Sequence, residues 1–268
     1  MSSSRAILLT EQRTSSVLQV DETGTVVHEW RPRDLPGWGL PNEAKPRHWQ
    51  GVPVLLVTDS YGFVGVFDTD GELRWSTDVT QAADPHSIEL LPGGELAVAG
   101  AVGDWVRVYR GLAPADAAAP AEDEILAEFP LPGAHGLVWD DGVLWAVGHH
   151  ELVVLAWDGA RLLERDRVDL PSAEGHDLTV AGRAGHLWVT TRAGVYLFDT
   201  AQRRWCDVPD DLATERDVKS IGEANGRVLY TRADEQWWTE TVRSVPLTEL
   251  VFPDFRIYKA RWAWEDLP

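Results

Sequence analysis

The sequence predicts an all-β protein, a six-bladed β-propeller formed by one domain over residues 1–268. Three observations predict it. A β-rich unit recurs roughly every 40 to 50 residues, the period of a propeller or a solenoid. Each unit reads as four short strands punctuated by Gly-containing turns. The two ends of the chain hold the parts of one further unit, three strand segments at the start and one at the finish. A solenoid needs capping repeats, whereas a ring splices its ends into one blade and leaves no open sheet edge.

The elements follow in chain order. Segments 5–10, 15–21 and 24–30 alternate apolar and polar residues and have no unit of their own, so they wait for a fourth strand. Five complete units open near residues 45, 86, 135, 176 and 219. In each, an apolar strand such as 87–91 meets a turn such as Pro92-Gly93-Gly94 or Asp140-Asp141-Gly142, where glycine supplies the positive φ of a tight hairpin. A second strand follows (95–100, 143–148, 186–191, 227–232), then a third such as 194–199, then a variable fourth such as 72–76. β-Branched and aromatic residues support all of them. Segment 258–264 is the missing strand that closes the sixth blade. Only the Ala-rich loop 113–121 carries any helical character. The 14 tryptophans fall mostly in strands; Trp75, Trp139, Trp145, Trp157, Trp188 and Trp205 are expected to pack between blades.

Composition excludes several functions. A formal charge of -19 argues against nucleic-acid and anionic-membrane partners, which require a basic surface. No apolar run is long enough to span a bilayer, and the first ten residues lack the apolar core of a signal peptide, so a cytoplasmic protein is the simplest reading. The single Cys206 excludes an internal disulfide framework. Asp21–Gly24 and Asp68–Gly71 imitate calcium loops but lack the full ligand set and read as hairpin turns. No phosphate-binding glycine loop, dinucleotide fingerprint or nucleophile elbow is present.

The strand openings carry the chemistry. They read Ala44-Lys45-Pro46-Arg47, Pro85-His86-Ser87-Ile88, Ala134-His135-Gly136-Leu137, Gly175-His176-Asp177-Leu178, Val218-Lys219-Ser220-Ile221 and Tyr258-Lys259-Ala260-Arg261. The chain has 21 arginines and only three lysines, and all three lysines fall in this register. Arginine replaces lysine readily on a solvated surface but not where a compact, titratable amine is needed. In a propeller the innermost strand starts at one face of the disc, so these six residues are expected to ring the channel mouth there. The turns between second and third strands surround them, bringing Tyr61, Trp105, His149 and Arg192, while Glu43, Glu174, Asp177 and Asp217 supply carboxylates. His28, His48 and His186 read as structural, and the pair His149-His150 is more often a solvated turn than a ligand.

Two chemistries are open to such a ring. His86, His135 and His176 on consecutive blades can form an open three-histidine site for a divalent metal (Zn, Mn or Fe), as channel histidines do in propeller polysaccharide lyases, with carboxylates offsetting the nearby ammonium groups. Alternatively Lys45, Lys219 and Lys259 hold a carboxylate or phosphate while a histidine or a lysine of lowered pKa acts as base, without any metal. A channel lined by polar residues that bind only water is the bland alternative.

The runs PHSIELLPGGELAVAG, AHGLVWDDGVLWAVG, GHDL, VKSI and YKARW, with the opening ILLTEQRTSSVLQVD, resemble an uncharacterised family of bacterial β-propellers common in actinobacteria. That source fits the Arg-over-Lys and Ala-rich bias of a high-GC genome. The resemblance covers nearly the whole chain and implies the fold. The architecture is also similar to strictosidine synthase, a likeness that implies a Pictet–Spengler-type condensation as one concrete reaction. The expected function is therefore an enzyme acting on a small anionic metabolite, of lyase or cyclase type in secondary metabolism. A non-catalytic propeller that binds a small anion or sugar, and a protein-interaction scaffold, are the alternatives. The catalytic set is His86, His135, His176, Lys45, Lys219, Lys259, Glu43 and Glu174; the substrate-binding set is Asp177, Asp217, Arg192, Tyr61, His149 and Trp105.

Overall fold

In the computed structural model, which describes residues 6–32, 34–112, 124–246 and 248–264, the chain forms six antiparallel four-stranded sheets arranged as a six-bladed β-propeller. The strands are β1 (Ile7–Glu11), β2 (Ser16–Val20), β3 (Val26–Trp30), β4 (Pro41–Trp49), β5 (Val52–Asp59), β6 (Phe63–Asp68), β7 (Leu73–Asp78), β8 (Pro85–Leu90), β9 (Leu96–Gly100), β10 (Trp105–Tyr109), β11 (Ile125–Pro130), β12 (Gly136–Asp140), β13 (Val143–Val147), β14 (Glu151–Trp157), β15 (Leu162–Asp169), β16 (Gly175–Val180), β17 (His186–Thr191), β18 (Val195–Asp199), β19 (Arg204–Cys206), β20 (Val218–Ala224), β21 (Arg227–Arg232), β22 (Thr241–Val245), β23 (Thr248–Val251) and β24 (Ile257–Trp262). Blades 1 to 5 take successive sets of four from β4 to β23, and blade 6 is β24-β1-β2-β3. The splice is an antiparallel ladder in which Ile7 faces Trp262 and Leu9 faces Ala260.

A single-turn helix, α1 (Asp210–Ala213), interrupts the otherwise all-β pattern between blades 4 and 5. The Ala-rich stretch 113–121 lies outside the described residues, as does Arg5 of the first expected strand. Asp21 and Asp68 are turn residues: each carboxylate accepts backbone N–H bonds from Thr23 and Thr25, or from Asp70 and Glu72. Among the described residues no helix is long and apolar enough to cross a membrane.

The core is divided among the blade interfaces, because a sheet alternates its side chains and each blade must bury both faces. Leu56, Val64 and Val66 of blade 1 meet Ile88, Leu96 and Val98 of blade 2. Ala97, Val106 and Val108 meet Leu137, Leu144 and Val153. Val147, Leu152 and Val154 meet Leu178, Leu187 and Val189. Equivalent clusters join the remaining pairs, including Leu8 and Val17 of blade 6 with Leu55 and Val57 of blade 1. Each fully buried Leu or Val contributes about 1.5–3 kcal/mol. Trp75, Trp145 and Trp188 are buried in these seams, and Trp139, Trp157 and Trp205 pack against them.

Candidate functional site

A bulge at the start of the inner strand sets the site. In blades 1, 2, 4 and 5 the register slips between Pro41 and Glu43, Pro85 and Ser87, Gly175 and Asp177, and Val218 and Ser220. In blade 6 the slip puts Tyr258 and Lys259 opposite the single residue Thr10. A bulge turns two consecutive side chains toward the same side and leaves a ladder donor unpaired. Threonine on the second strand repairs the ladder: Thr190 Oγ1 accepts the Asp177 N–H at 3.0 Å, and Thr10 Oγ1 accepts the Lys259 N–H at 2.9 Å. In blades 2 to 5 a residue of positive φ stands two places before the ring residue: Asp84, Gly133, Glu174 and Asp217.

This geometry brings His86, His135, His176, Lys219 and Tyr258 to one mouth of the channel. They line a cavity of about 520 Å³ together with Gln12, Tyr61, Asp84 and Trp237. Two lysines expected there lie deeper. The blade 1 strand begins at Pro41, so Asn42 and not Lys45 matches His86; Lys45 falls mid-strand. Its Nζ donates to Ser87 Oγ at 3.0 Å and to the Leu137 carbonyl at 2.8 Å, and it pairs with Glu89 at 3.5 Å. It lines a separate cavity at the opposite mouth. In blade 6 the bulge gives Tyr258 the ring position and places Lys259 one level below. Asn42 is turned aside, with its amide bonded to Ser60 Oγ and to the Pro85 carbonyl.

Between the mouths sits a buried ion quartet. Lys259 Nζ donates to Glu43 (3.1 Å), Asp177 (3.3 Å) and the His86 carbonyl (3.3 Å). The Arg261 guanidinium bonds Glu43 through Nε (2.9 Å) and Nη2 (2.8 Å), and Asp177 through Nη1 (2.5 Å) and Nη2 (2.6 Å). Burial alone would raise Glu43 and Asp177, but Arg261 and Lys259 outweigh it and hold both below the ordinary carboxylate range. Glu43, Asp177, Lys259 and Lys45 are thus internal groups that tie blades together across the axis. Glu43 and Asp177 do not reach the mouth. Burial lowers Lys45 to about 8, with Glu89 opposing the shift.

The mouth itself is a row of aromatic bases. The rings of His86 and His135 lie 4.2 Å apart, those of His135 and His176 4.9 Å, and Tyr258 stands edge-on to His86. Lys219 donates to Asp217 at 2.7 Å and to His176 Nε2 at 3.1 Å. An ammonium only donates, so His176 carries its proton on Nδ1, which faces His135 Nε2 at 3.4 Å. That makes His135 Nε2 the acceptor and leaves the His135 proton on Nδ1, a buried atom with no hydrogen-bond partner. His86 Nδ1 donates to the Asp84 carbonyl at 2.9 Å, which leaves Nε2 with the lone pair. Burial holds all three imidazoles below 6.5, opposed at His86 by Asp84 and reinforced by the nearby lysines, so they are neutral near pH 7. Both His176 nitrogens are engaged, and the rings pack on one another instead of converging. The three ring nitrogens are therefore not arranged around one metal position.

The other expected contacts lie apart. Trp105 is buried in the seam of blades 1 and 2 beneath the Arg107 guanidinium, because strand alternation sends it sideways. His149 stacks edge-on with His150 on the rim, and Arg192 pairs with Glu174 there. None of these lines the cavity. Tyr258 and Asn42 carry neither charge nor imidazole, and Arg261 is one arginine among 21; the pairing of Pro41-Asn42 with Pro85-His86 and the recurrent threonine would have found the register.

Residues 161–267, less than half of the chain, match a family of unknown function (DUF6528). No curated protein matches the chain in sequence. Solved structures share the fold. A chain of a nidogen/laminin complex superposes with a TM-score of 0.68 at 15% identity, covering 98% of this chain and 100% of that one. A streptogramin B lyase gives 0.62 at 13% identity, with 96% and 90% covered. A catalytically inactive histidine-to-alanine variant of virginiamycin B lyase from Staphylococcus aureus, with quinupristin, gives 0.61 at 12% identity, with 94% and 89% covered. Neither the actinobacterial source nor the strictosidine synthase likeness gains support from these matches.

Proposed function

We propose that the chain is an acid–base enzyme of lyase type acting on a small anionic metabolite at the histidine mouth. The observation that carries this reading is the ordered row Asp217–Lys219–His176–His135, which ends on an imidazole N–H without a partner beside a solvent-open cavity. Buried polar groups are ordinarily satisfied, so an unsatisfied donor calls for an explanation, of which a catalytic role is one, and perturbed imidazoles cluster at functional sites. His86 offers the lone pair of Nε2 as base. The His135–His176–Lys219 row supplies the acid side, with Asp217 fixing its tautomers. Lys219 meets the carboxylate or phosphate, and the half-exposed Tyr61 and Trp237 at the rim receive the apolar part. That the neighbours in fold include a lyase is consistent with the reaction class.

The test is a panel of small carboxylates and phosphates incubated with the protein in D2O and followed by NMR. The reading expects deuterium incorporation or alkene formation with at least one compound, lost in His86→Gln while that compound still binds. Binding by several compounds with neither exchange nor turnover would overturn catalysis and leave a non-catalytic anion binder.

A further inference from the structure

On the outer half of blade 4, away from the channel, three donor side chains meet. His186 opens β17, Asp199 closes β18 and Cys206 closes β19. His186 faces Asp199 in the ladder, and Arg204 faces Asp199 on the other side. Cys206 stands two residues beyond Arg204, so strand alternation returns it to the same sheet face. One ligand atom from each lies within 4.8 Å of the other two.

The hydrogen bonds show what this pocket lacks. His186 Nδ1 donates to the Ala184 carbonyl at 3.1 Å, which puts the lone pair on Nε2. Nε2 is buried without a hydrogen-bond partner and lies 3.8 Å from Asp199 Oδ2, too far for a hydrogen bond. His186 is only 5% exposed. Asp199 uses Oδ1 for the backbone N–H groups of Ala201 (3.0 Å) and Gln202 (2.8 Å), leaving Oδ2 turned to the histidine. Arg204 sends its Nε to Gln202 Oε1 at 2.6 Å and forms no salt bridge with Asp199. Cys206 Sγ donates only to the Arg204 carbonyl, at 3.9 Å, so an imidazole lone pair, a carboxylate oxygen and a sulfur face one another with no hydrogen bond joining them. A cation resolves that arrangement. The carbonyl behind His186 is the outer-shell partner that fixes the tautomer of a metal-binding histidine.

We propose that His186, Asp199 and Cys206 form a three-ligand site for a divalent transition metal of the zinc type. Nitrogen, oxygen and thiolate sulfur together suit zinc or cobalt over magnesium or calcium. Ligand atoms on a tetrahedral zinc stand roughly 3.3–3.8 Å apart at bond lengths of about 2.0–2.3 Å, so a small rotation of the half-buried Cys206 closes the site. On binding, the thiol gives its proton to solvent and the sulfur bonds the metal. The ion would staple the three-residue strand β19 to its blade.

The test adds Co2+ to the reduced, chelator-treated protein and reads the thiolate-to-cobalt charge-transfer band. Cys206 is the single cysteine, so any such band belongs to it. The expected result is saturation at one equivalent, displacement by Zn2+, and at least tenfold weaker binding in His186→Asn, or in Asp199→Asn should the first variant fail to fold. Zn2+ should also slow alkylation of Cys206 in the wild-type protein by tenfold or more. No band at several equivalents, or a band and alkylation rate indifferent to these substitutions, would overturn the site and leave an adventitious thiol complex.

Discussion

Replacing Lys259 with methionine isolates the electrostatics of the ion quartet. Methionine roughly keeps the volume and removes the charge, so little cavity forms. The wild-type quartet is neutral, with Glu43 and Asp177 against Lys259 and Arg261. Without Lys259 two buried carboxylates share one guanidinium. Breaking a buried pair costs about 3–5 kcal/mol; Arg261 keeps its bonds to both carboxylates, which places the expected loss near about 3 kcal/mol. Adding Glu43→Gln restores neutrality, so the double variant should be less destabilised than the sum of the single ones by about 2 kcal/mol. Urea unfolding of the four proteins measures the cycle. The pH dependence has a definite sign. Wild-type Glu43 and Asp177 are held low, so their stabilisation is present above the ordinary carboxylate pKa, near 4.5 for Glu, and is lost as pH falls below it. In the variant one carboxylate binds its proton more tightly when folded, so its contribution is lost as pH rises. The gap between the two proteins should widen from pH 4.5 to pH 8. Additivity within about 0.5 kcal/mol, or a gap that narrows with pH, would refute the reasoning.

Two further predictions concern the other buried bases. Lys45 is lowered from 10.5 to about 8, so burying its charged form costs stability below pH 8, and the cost fades as pH rises toward 10.5. Wild-type stability should gain about 3 kcal/mol from this group across that window, at about 1.4 kcal/mol per pH unit. Lys45→Met should lack the gain, leaving a flatter profile across that window; parallel pH profiles in urea unfolding would contradict it. His86, His135 and His176 should titrate below 6.5 in imidazole NMR, and stability should fall as pH drops under that value because the unfolded chain takes up those protons first. Ordinary titration of all three would contradict the burial argument.

The fold was legible because strand alternation, glycine turns and the split sixth unit are local patterns. The register was legible in blades 2 to 5, where the ring residue follows a turn. It failed in blades 1 and 6 because a bulge leaves no trace in hydropathy, and matching lysine to lysine moved Lys45 three places from Asn42 and Lys259 one from Tyr258. Trp105 was misplaced for a related reason: a residue just past a turn looks peripheral, but alternation sends it into the seam. The expected lysine ring therefore dissolved into one lysine at the mouth and two inside. His186 looked structural because its neighbours Asp199 and Cys206 come from other strands, and cross-strand register cannot be read from one sequence.

The quartet has a topological consequence. Lys259 and Arg261 reach from blade 6 to blades 1, 2, 4 and 5, and Lys45 reaches from blade 1 to blades 2 and 3, so the axis is obstructed at mid-depth. The molecule is two cups set base to base, and not a pipe. Whatever enters the histidine cup leaves by the way it came, so incoming and outgoing molecules compete for one doorway. The second cup, of about 580 Å³ beside Arg47, Trp139 and Arg261, shares only the floor. Changes to the residues around either rim can proceed without altering the other, provided the floor stays neutral.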